Sequence, residues 1–268
     1  MNTKAVLCID LDGTLINSNE KIHPKDIQTL EDFPQAIQPL ITTGRILHSA
    51  KGVLRQNGLF LKDPFPLPGI FMNGGVAYLP NEILMSNYPF SSGTRKRLIG
   101  LAKAYPHTSF TFFGLSSVYL VNATAFGIHI GKIHFLEVQE SQADEIPDAI
   151  IKVMVLEQDE KIRKQIEADA QSLDAETAYS LPYAYEINPP GINKAKTLLE
   201  LLDTMQIARL PIFVVGDGEN DLSLFKIAMK SFAPSSAQKN VINLADHIIQ
   251  RGNNGLLLPV IKRIESWE

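Results

Sequence analysis

Five apolar residues, Ala5-Val6-Leu7-Cys8-Ile9, run without a break into Asp10-Leu11-Asp12-Gly13-Thr14-Leu15. An uninterrupted apolar run of this length suits a strand buried on both faces, which is the condition of a parallel sheet covered by helices. In such sheets ligands bind outside the carboxyl ends of the strands, so this acidic turn stands where chemistry is done. Two aspartates one residue apart point to the same side while the backbone stays extended, and Gly13 lets the chain turn sharply after them. One carboxylate can then attack while the other carries a proton. The bland alternatives are a solvated Asp-Gly turn and a calcium loop. A calcium loop needs a glycine at its sixth position and a later glutamate, whereas here Gly13 comes fourth and Leu15 follows.

The alternation continues. Pro24 opens a helical stretch to about Phe33. Gln38 to Ile41 reads as a second strand, followed by Thr42-Thr43-Gly44-Arg45 and a helix over Ile46 to Gln56. Gly69 to Met72 reads as a third strand ending at the turn Asn73-Gly74-Gly75. The rhythm then changes. A helix over Ser91 to Ala104 with Ser92 as N-cap precedes strands at Ser109–Phe113, Val118–Val121 and Ile151–Leu156. The alternating apolar residues of Ile128 to Phe135 suit a half-buried strand. Glu160 to Leu173 reads as an amphipathic helix, and Ala178 to Ile187 is strand-like around Pro182. Strand and helix alternate again afterwards, with a helix at Asn193–Met205, a strand at Pro211–Val215 and a helix at Leu222–Met229. The expected fold class is therefore α/β: a Rossmann-like, doubly wound parallel sheet built from 1–85 and 185–268, interrupted by an inserted α+β unit at 86–184.

Three further stretches fall where this sheet would present its site. Thr43-Gly44 follows the second strand, and a hydroxyl with a free N–H near a helix start makes a phosphate cradle, although Thr-Gly is also a common plain turn. Gly216-Asp217-Gly218-Glu219-Asn220-Asp221 follows Phe213-Val214-Val215. Two acidic side chains on a glycine-permitted turn suit a hard cation, and a dinucleotide fingerprint would need a third glycine where Asp221 stands. Lys194 opens a helix. A single lysine is ordinary surface, but a site with several carboxylates and a phosphate needs a cation.

Composition narrows the partners. Asp and Glu number 29 against 25 Lys and Arg, a net charge of −4, which gives no reason to expect nucleic acid and leaves room for a local basic pocket. With 45% hydrophobic residues the chain can bury a core. The one cysteine, Cys8, sits in an apolar run as a small hydrophobe. No run approaches the roughly 20 apolar residues that span a bilayer, and the N-terminal run is too short for a secretory signal. A soluble, cytoplasmic protein is expected, with no membrane partner, as a monomer or small homo-oligomer.

Together, Asp10-Leu11-Asp12-Gly13-Thr14, Thr43-Gly44-Arg45, Lys194 and Gly216-Asp217-Gly218-Glu219-Asn220-Asp221 resemble the four motifs of the haloacid dehalogenase superfamily. Their order and spacing are similar to the Cof-like sugar-phosphatase subgroup, which carries a large α/β cap between the second and third motifs. Asn73-Gly74 and Glu186-Ile187-Asn188-Pro189 resemble that subgroup too, whereas Ser235-Ser236-Ala237 and Gly75 depart from it. The resemblance implies a Mg2+-dependent phosphatase acting on a small phosphorylated metabolite, with a phosphomutase or a non-catalytic binding protein as the alternatives. Asp10 would be the nucleophile and Asp12 the general acid and base. Mg2+ would be held by Asp10, Asp217 and the backbone carbonyl of Asp12, with Asp221 in support. Thr43, Gly44 and Lys194 would bind the phosphoryl group, Asn220 would brace them, and Thr42 would be a weaker substitute for Thr43. Crowding by carboxylates and phosphate would raise the Asp12 carboxyl. In the cap, His129, Lys132 and His134 read as structural or surface residues, and Phe110, Phe112, Phe113 and Tyr119 as cap core.

Overall fold

The computed structural model describes residues 3–134, 136–147 and 149–267. β1 (Ala5–Ile9), α1 (Pro24–Glu31), β2 (Ile37–Thr42), α2 (Leu47–Gln56) and β3 (Gly69–Phe71) are followed by a hairpin of β4 (Val76–Leu79) and β5 (Ile83–Asn87). The inserted unit then contributes α3 (Ser92–Ala104), β6 (Ser109–Phe113), β7 (Val118–Val121), α4 (Ala125–Ile133), β8 (Val138–Glu140), β9 (Lys152–Leu156), α5 (Glu160–Ala170), β10 (Glu176–Leu181) and β11 (Ala184–Asn188). The chain returns through α6 (Lys194–Thr204), β12 (Ile212–Val215), α7 (Leu222–Phe225), β13 (Lys230–Pro234), α8 (Lys239–Leu244), β14 (His247–Ile249) and α9 (Leu257–Glu265).

The first sheet has the order β14-β13-β12-β1-β2-β3-β4-β5, parallel from β14 to β3 and antiparallel at the β4–β5 edge. Its strands are read outward from β1 in both directions, so the order reverses between β1 and β12, the place where open sheets of this kind bind ligands. Register sets the site: Ile9 pairs with Val215, so Asp10 and Gly216 leave the sheet side by side. The period of two along β1 divides its side chains between layers. Ala5, Leu7 and Ile9 pack with α2 and α9, while Val6 and Cys8 pack with α6 and α7. The partner helices supply matching stripes, such as Leu257, Val260, Ile261 and Ile264 on α9.

The second sheet has the order β10-β11-β9-β6-β7-β8 and is antiparallel except for β7–β8. One face buries Phe110, Phe112, Val153, Val155, Tyr185 and Ile187 under α3 and α5. The other face presents Phe113, Met154, Leu156 and Ala184, which pack with Ile46, Met72 and Val76 of the first sheet's layer. The second sheet is thus laid over the carboxyl ends of the first through an apolar seam.

The pairing corrects several expectations. β5 runs to Asn87 in the first sheet, and β11, through Asn188, belongs to the second, so both crossings between the sheets fall a few residues later than 85 and 184. Ser91, not Ser92, caps α3, accepting from Thr94 N. Ile128 to Ile133 is helical within α4 rather than a strand, because Thr124 caps it by accepting from Gly127 N; Phe135 lies outside the described residues. The helix from Leu222 ends at Phe225, four residues before Met229. Phe113 faces the seam, unlike Phe110 and Phe112.

Candidate active site

The turn after β1 places Asp10, 4% exposed, over the sheet's end. Gly13 has φ +75°, and a Cβ there would stand 2.0 Å from Asp217 Oδ2, so only glycine lets the first loop pass against the fourth motif. Thr14 Oγ1 donates to Asp217 Oδ1 at 3.0 Å across the same contact. Gly74, at φ +104°, plays a similar part for α6: a Cβ on it would meet Asn193 O at 2.5 Å. Thr197 Oγ1 donates to its carbonyl at 2.8 Å, and Asn193 caps the helix by accepting from Lys196 N. α6 is thereby seated with Lys194, its first residue, pointing beneath β1 and β12.

Lys194 is fully buried and all three of its ammonium protons are engaged. It donates to Asp10 Oδ1 at 2.9 Å, to Asp221 Oδ1 at 2.7 Å and to Thr42 O at 3.0 Å. Burial disfavours its charge, but Asp10 and Asp221 outweigh that and hold it above the usual ammonium range. Asp221 is also spent, its Oδ2 accepting from the N–H groups of Asp217 at 3.1 Å and Gly218 at 3.2 Å. Burial, and then the charge of Asp221, push the Asp10 carboxyl well above the carboxylate range; the same two causes push Asp217 up to about 7.

Carboxylate oxygens of Asp10, Asp217 and Asp221 lie within 4.8 Å of one another. Three hard oxygen donors crowded into one buried place are the donor set a small divalent cation relieves. With Asp221 committed to Lys194 and two amides, Asp10 and Asp217 are the side chains that fit as direct ligands and Asp221 as their support. Asp12 is not in this cluster, so any part it takes in metal binding falls to its backbone.

The Asp12 side chain turns instead to Arg45. Arg45 Nε donates to both Asp12 oxygens at 3.1 and 2.9 Å and Nη2 to Oδ1 at 2.6 Å, while Nη2 also reaches Glu20 at 2.9 Å. Burial would raise the Asp12 carboxyl, but the Arg45 charge and hydrogen bonds win and hold it below the usual range. The expected raised Asp12 carboxyl is therefore corrected: its neighbour is a guanidinium, not the other carboxylates. His134, at the end of α4, has Nδ1 3.5 Å from Glu20 Oε1, and burial followed by the Arg45 charge lowers it to about 4.

Thr43 is buried, its Oγ1 accepting from Arg45 N at 3.1 Å. Thr42 contributes its carbonyl to Lys194. Gly44 O accepts from Lys152 Nζ at 2.9 Å, and Lys152 also donates to Glu186 Oε1 at 2.6 Å. Glu186 Oε2 accepts from Asn73 Nδ2, and Asn220 Nδ2 donates to Asn73 Oδ1 at 3.0 Å. This relay joins β9 and β11 of the second sheet to three loops of the first.

A cavity of about 90 Å³, open to solvent on one side, lies between the two layers. Asp10, Asp12, Gly44, Asp217 and Asn220 line it, and Thr43, Lys194 and Asp221 sit buried beneath its floor. All the residues proposed from the sequence thus meet at one place. The sequence reading gave no role to Arg45, Glu20, His134, Lys152, Asn73 or Glu186. Two of these left a signal: Lys152 and Glu186 are charges set in apolar strands, which burial penalises unless they are paired.

A doubly wound sheet with a buried lysine between two aspartates and a cation-fitting acidic cluster at its reversal point is the setting of phosphoryl-transfer chemistry. The chain belongs to the haloacid dehalogenase-like hydrolase family, whose pattern matches residues 7–258. It is a phosphatase of that family, of the Cof-like kind with a large cap. It is 27% identical over 268 residues to the 5-amino-6-(5-phospho-D-ribitylamino)uracil phosphatase YcsE of Bacillus subtilis, covering 98% of this chain and 95% of that one. It is 21% identical over 267 residues to a phosphoglycolate phosphatase of Methanothermobacter thermautotrophicus, covering 97% and 99%. In structure it is similar to a Thermotoga maritima protein (TM-score 0.81, 24% identity, 97% of each chain). It is also similar to a sugar phosphatase of haloacid dehalogenase subclass IIB (TM-score 0.82, 18% identity, 97% and 99%). Among the described residues no helix is long and apolar enough to cross a membrane.

Proposed function

We propose that this phosphatase is Mg2+-dependent and hydrolyses a small phosphomonoester, a sugar phosphate or related metabolite, through an aspartyl-phosphate formed on Asp10. The observation that carries the reading is the contact of Lys194 with both Asp10 and Asp221, 2.9 and 2.7 Å, beside Asp217. Asp10 is thereby held in place at the cavity floor, with a cation beneath it to offset the charge it takes on when it ionises.

In the first half-reaction a carboxylate oxygen of Asp10 attacks phosphorus, the bond to the leaving oxygen breaks, and Asp12 gives that oxygen its proton. Thr43 and Gly44 hold the phosphoryl oxygens, the Lys194 charge lies beneath them, and Asn220 braces the loop. In the second half-reaction Asp12, now a carboxylate, takes a proton from water, which attacks phosphorus and frees Asp10 and phosphate. Bound by Asp10, Asp217 and the Asp12 carbonyl, Mg2+ would supply the positive charge that offsets repulsion between carboxylate and phosphate. The second sheet covers the cavity and limits water. A cytoplasmic setting agrees with the single, buried Cys8.

The test is phosphate release from a panel of sugar, nucleotide and cofactor phosphates, with Mg2+ and with excess chelator. Asp10→Asn is expected to remove turnover while the far-UV circular dichroism stays unchanged. Retained turnover in Asp10→Asn, or full activity in chelator, would refute the nucleophile or the metal assignment respectively.

A further inference from the structure

Resting on the phosphatase reading above, we propose that the cavity selects the monophosphate of an otherwise uncharged alcohol with an apolar face, and discriminates against leaving groups that carry a second anion. Two independent features of the lining carry this.

The first is charge. Among the described residues, each cationic side chain on the cavity wall is already matched. Arg45 is shared between Asp12 and Glu20, and Lys152 is locked to Glu186, their side chains 3% and 4% exposed. His134 faces the cavity as a neutral imidazole. Lys194, below the floor, has no proton left to give. Asp10, Asp12, Asp217 and Glu186 thus outnumber Arg45 and Lys152 on the lining. Mg2+ and the transferring phosphoryl group settle the balance at the floor, not at the wall. A second phosphate or a carboxylate on the leaving group would lose its hydration and find no unpaired cation, against the rule that such groups are met by charge-assisted donors.

The second is the wall itself. The second sheet and α4 present Phe113, Ile130, Leu136, Met154, Leu181 and Ala184 to the cavity. The wall continues the apolar seam that joins the two layers. It can cover one face of a ring or a deoxygenated edge, with Ser180 as an uncharged hydroxyl on the polar side, Ser49 being engaged with Arg45 and the His134 carbonyl.

The test uses matched esters with the Mg2+-loaded enzyme: benzyl phosphate against 4-carboxybenzyl phosphate, and a hexose monophosphate against the same hexose bisphosphate. The expected result is a kcat/KM at least tenfold higher for the partner without the second anion in both pairs. Leu181→Lys, which puts one unpaired ammonium on a half-buried wall position, is expected to shrink that ratio at least threefold. A wild-type ratio near one, or one favouring the second anion, overturns the inference, as does an unchanged ratio in folded Leu181→Lys. No phosphate from any of the four esters or from p-nitrophenyl phosphate overturns the phosphatase reading itself, and this inference with it.

Discussion

Replacing Lys152 by Met keeps the volume of the side chain and removes the cation that joins the two layers. Lys152 and Glu186 are 2.6 Å apart and 3% and 4% exposed, so the variant strands a carboxylate away from water. Removing one partner of a buried pair typically costs about 3–5 kcal/mol. The chain can escape the full cost by protonating the carboxyl. Neutralising a glutamate of solution pKa near 4.3 costs about 3.7 kcal/mol at pH 7, from 1.36 kcal/mol per unit, and about 1 kcal/mol at pH 5. Loss of the bond to Gly44 O adds about 1 kcal/mol. The expected destabilisation is therefore about 4–5 kcal/mol at pH 7 and about 2 kcal/mol at pH 5. The sign follows from linkage: in the variant the folded state holds a proton that the unfolded chain releases above about pH 4.3, so stability is lost as pH rises. Urea unfolding of the metal-free chain, read by far-UV circular dichroism at both pH values, measures it. Lys152→Met/Glu186→Gln should recover about half or more of the loss at pH 7, since the amide still accepts from Asn73. A cost below about 1 kcal/mol at pH 7, or an equal cost at both pH values, would show that the pair does not carry the junction.

Three other outcomes follow from the same geometry. Asp12→Ala should lose turnover severely with alkyl phosphates and far less with p-nitrophenyl phosphate, whose phenol leaves without help; equal losses in steady-state assays would remove Asp12 as the acid. Mg2+ at 100 times its dissociation constant should stabilise the chain by about 2.7 kcal/mol, read as a rise in melting temperature, and Asp217→Asn should abolish that rise; a variant stabilised as much as the wild type would contradict the ligand assignment. The raised Asp10 and Asp217 carboxyls, the latter about 7, contribute stability that is present near pH 4 and lost as pH rises through 7. Metal-free melting temperatures should therefore fall between pH 5 and pH 8 and level out when Mg2+ is added; a flat metal-free profile would argue against the clustering.

Much of the first sheet was legible because its evidence is local. The unbroken run Ala5–Ile9, the run ending at Val215 and the glycine-bearing acidic turns after them each announce a buried strand and its functional end without reference to the rest of the chain. Lys194 was legible only through its motif, since nothing near it in sequence tells that it lies under Asp10. The elements missed are those whose pattern is weak or ambiguous. β4 and β5 form a short edge hairpin with Ile83 and Leu84 exposed, which blurs the alternation. α4 reads as a strand because the apolar Ile128 and Ile130 alternate with polar or small neighbours, and the deciding cap at Thr124 lies outside that window. The relay through Lys152, Glu186, Asn73 and Asn220 spans 147 residues between its two asparagines, a distance over which spacing carries no information until the sheets are in register.

Asp12 is where the missing topology changes the chemistry. Read along the chain, it is two residues from the Asp10 carboxylate, and repulsion is the natural expectation. In space the turn at Gly13 sends its side chain the other way, to a guanidinium that grips it with two nitrogens. A carboxylate so held is an acceptor, which suits the step that takes a proton from water and opposes the step that gives one to the leaving oxygen. Glu20 resolves the conflict. It pairs with the same Nη2 at 2.9 Å, so Arg45 keeps a counter-charge when Asp12 carries its proton. Glu20 is itself pushed above the usual carboxylate range, by burial first and in spite of Arg45. The guanidinium thus stands between two carboxylates, and one of them can be neutral without leaving a buried charge alone. The acid-then-base role proposed for Asp12 needs such a neighbour, and Glu20 lies ten residues beyond Asp10 in sequence, outside every motif that marks the family.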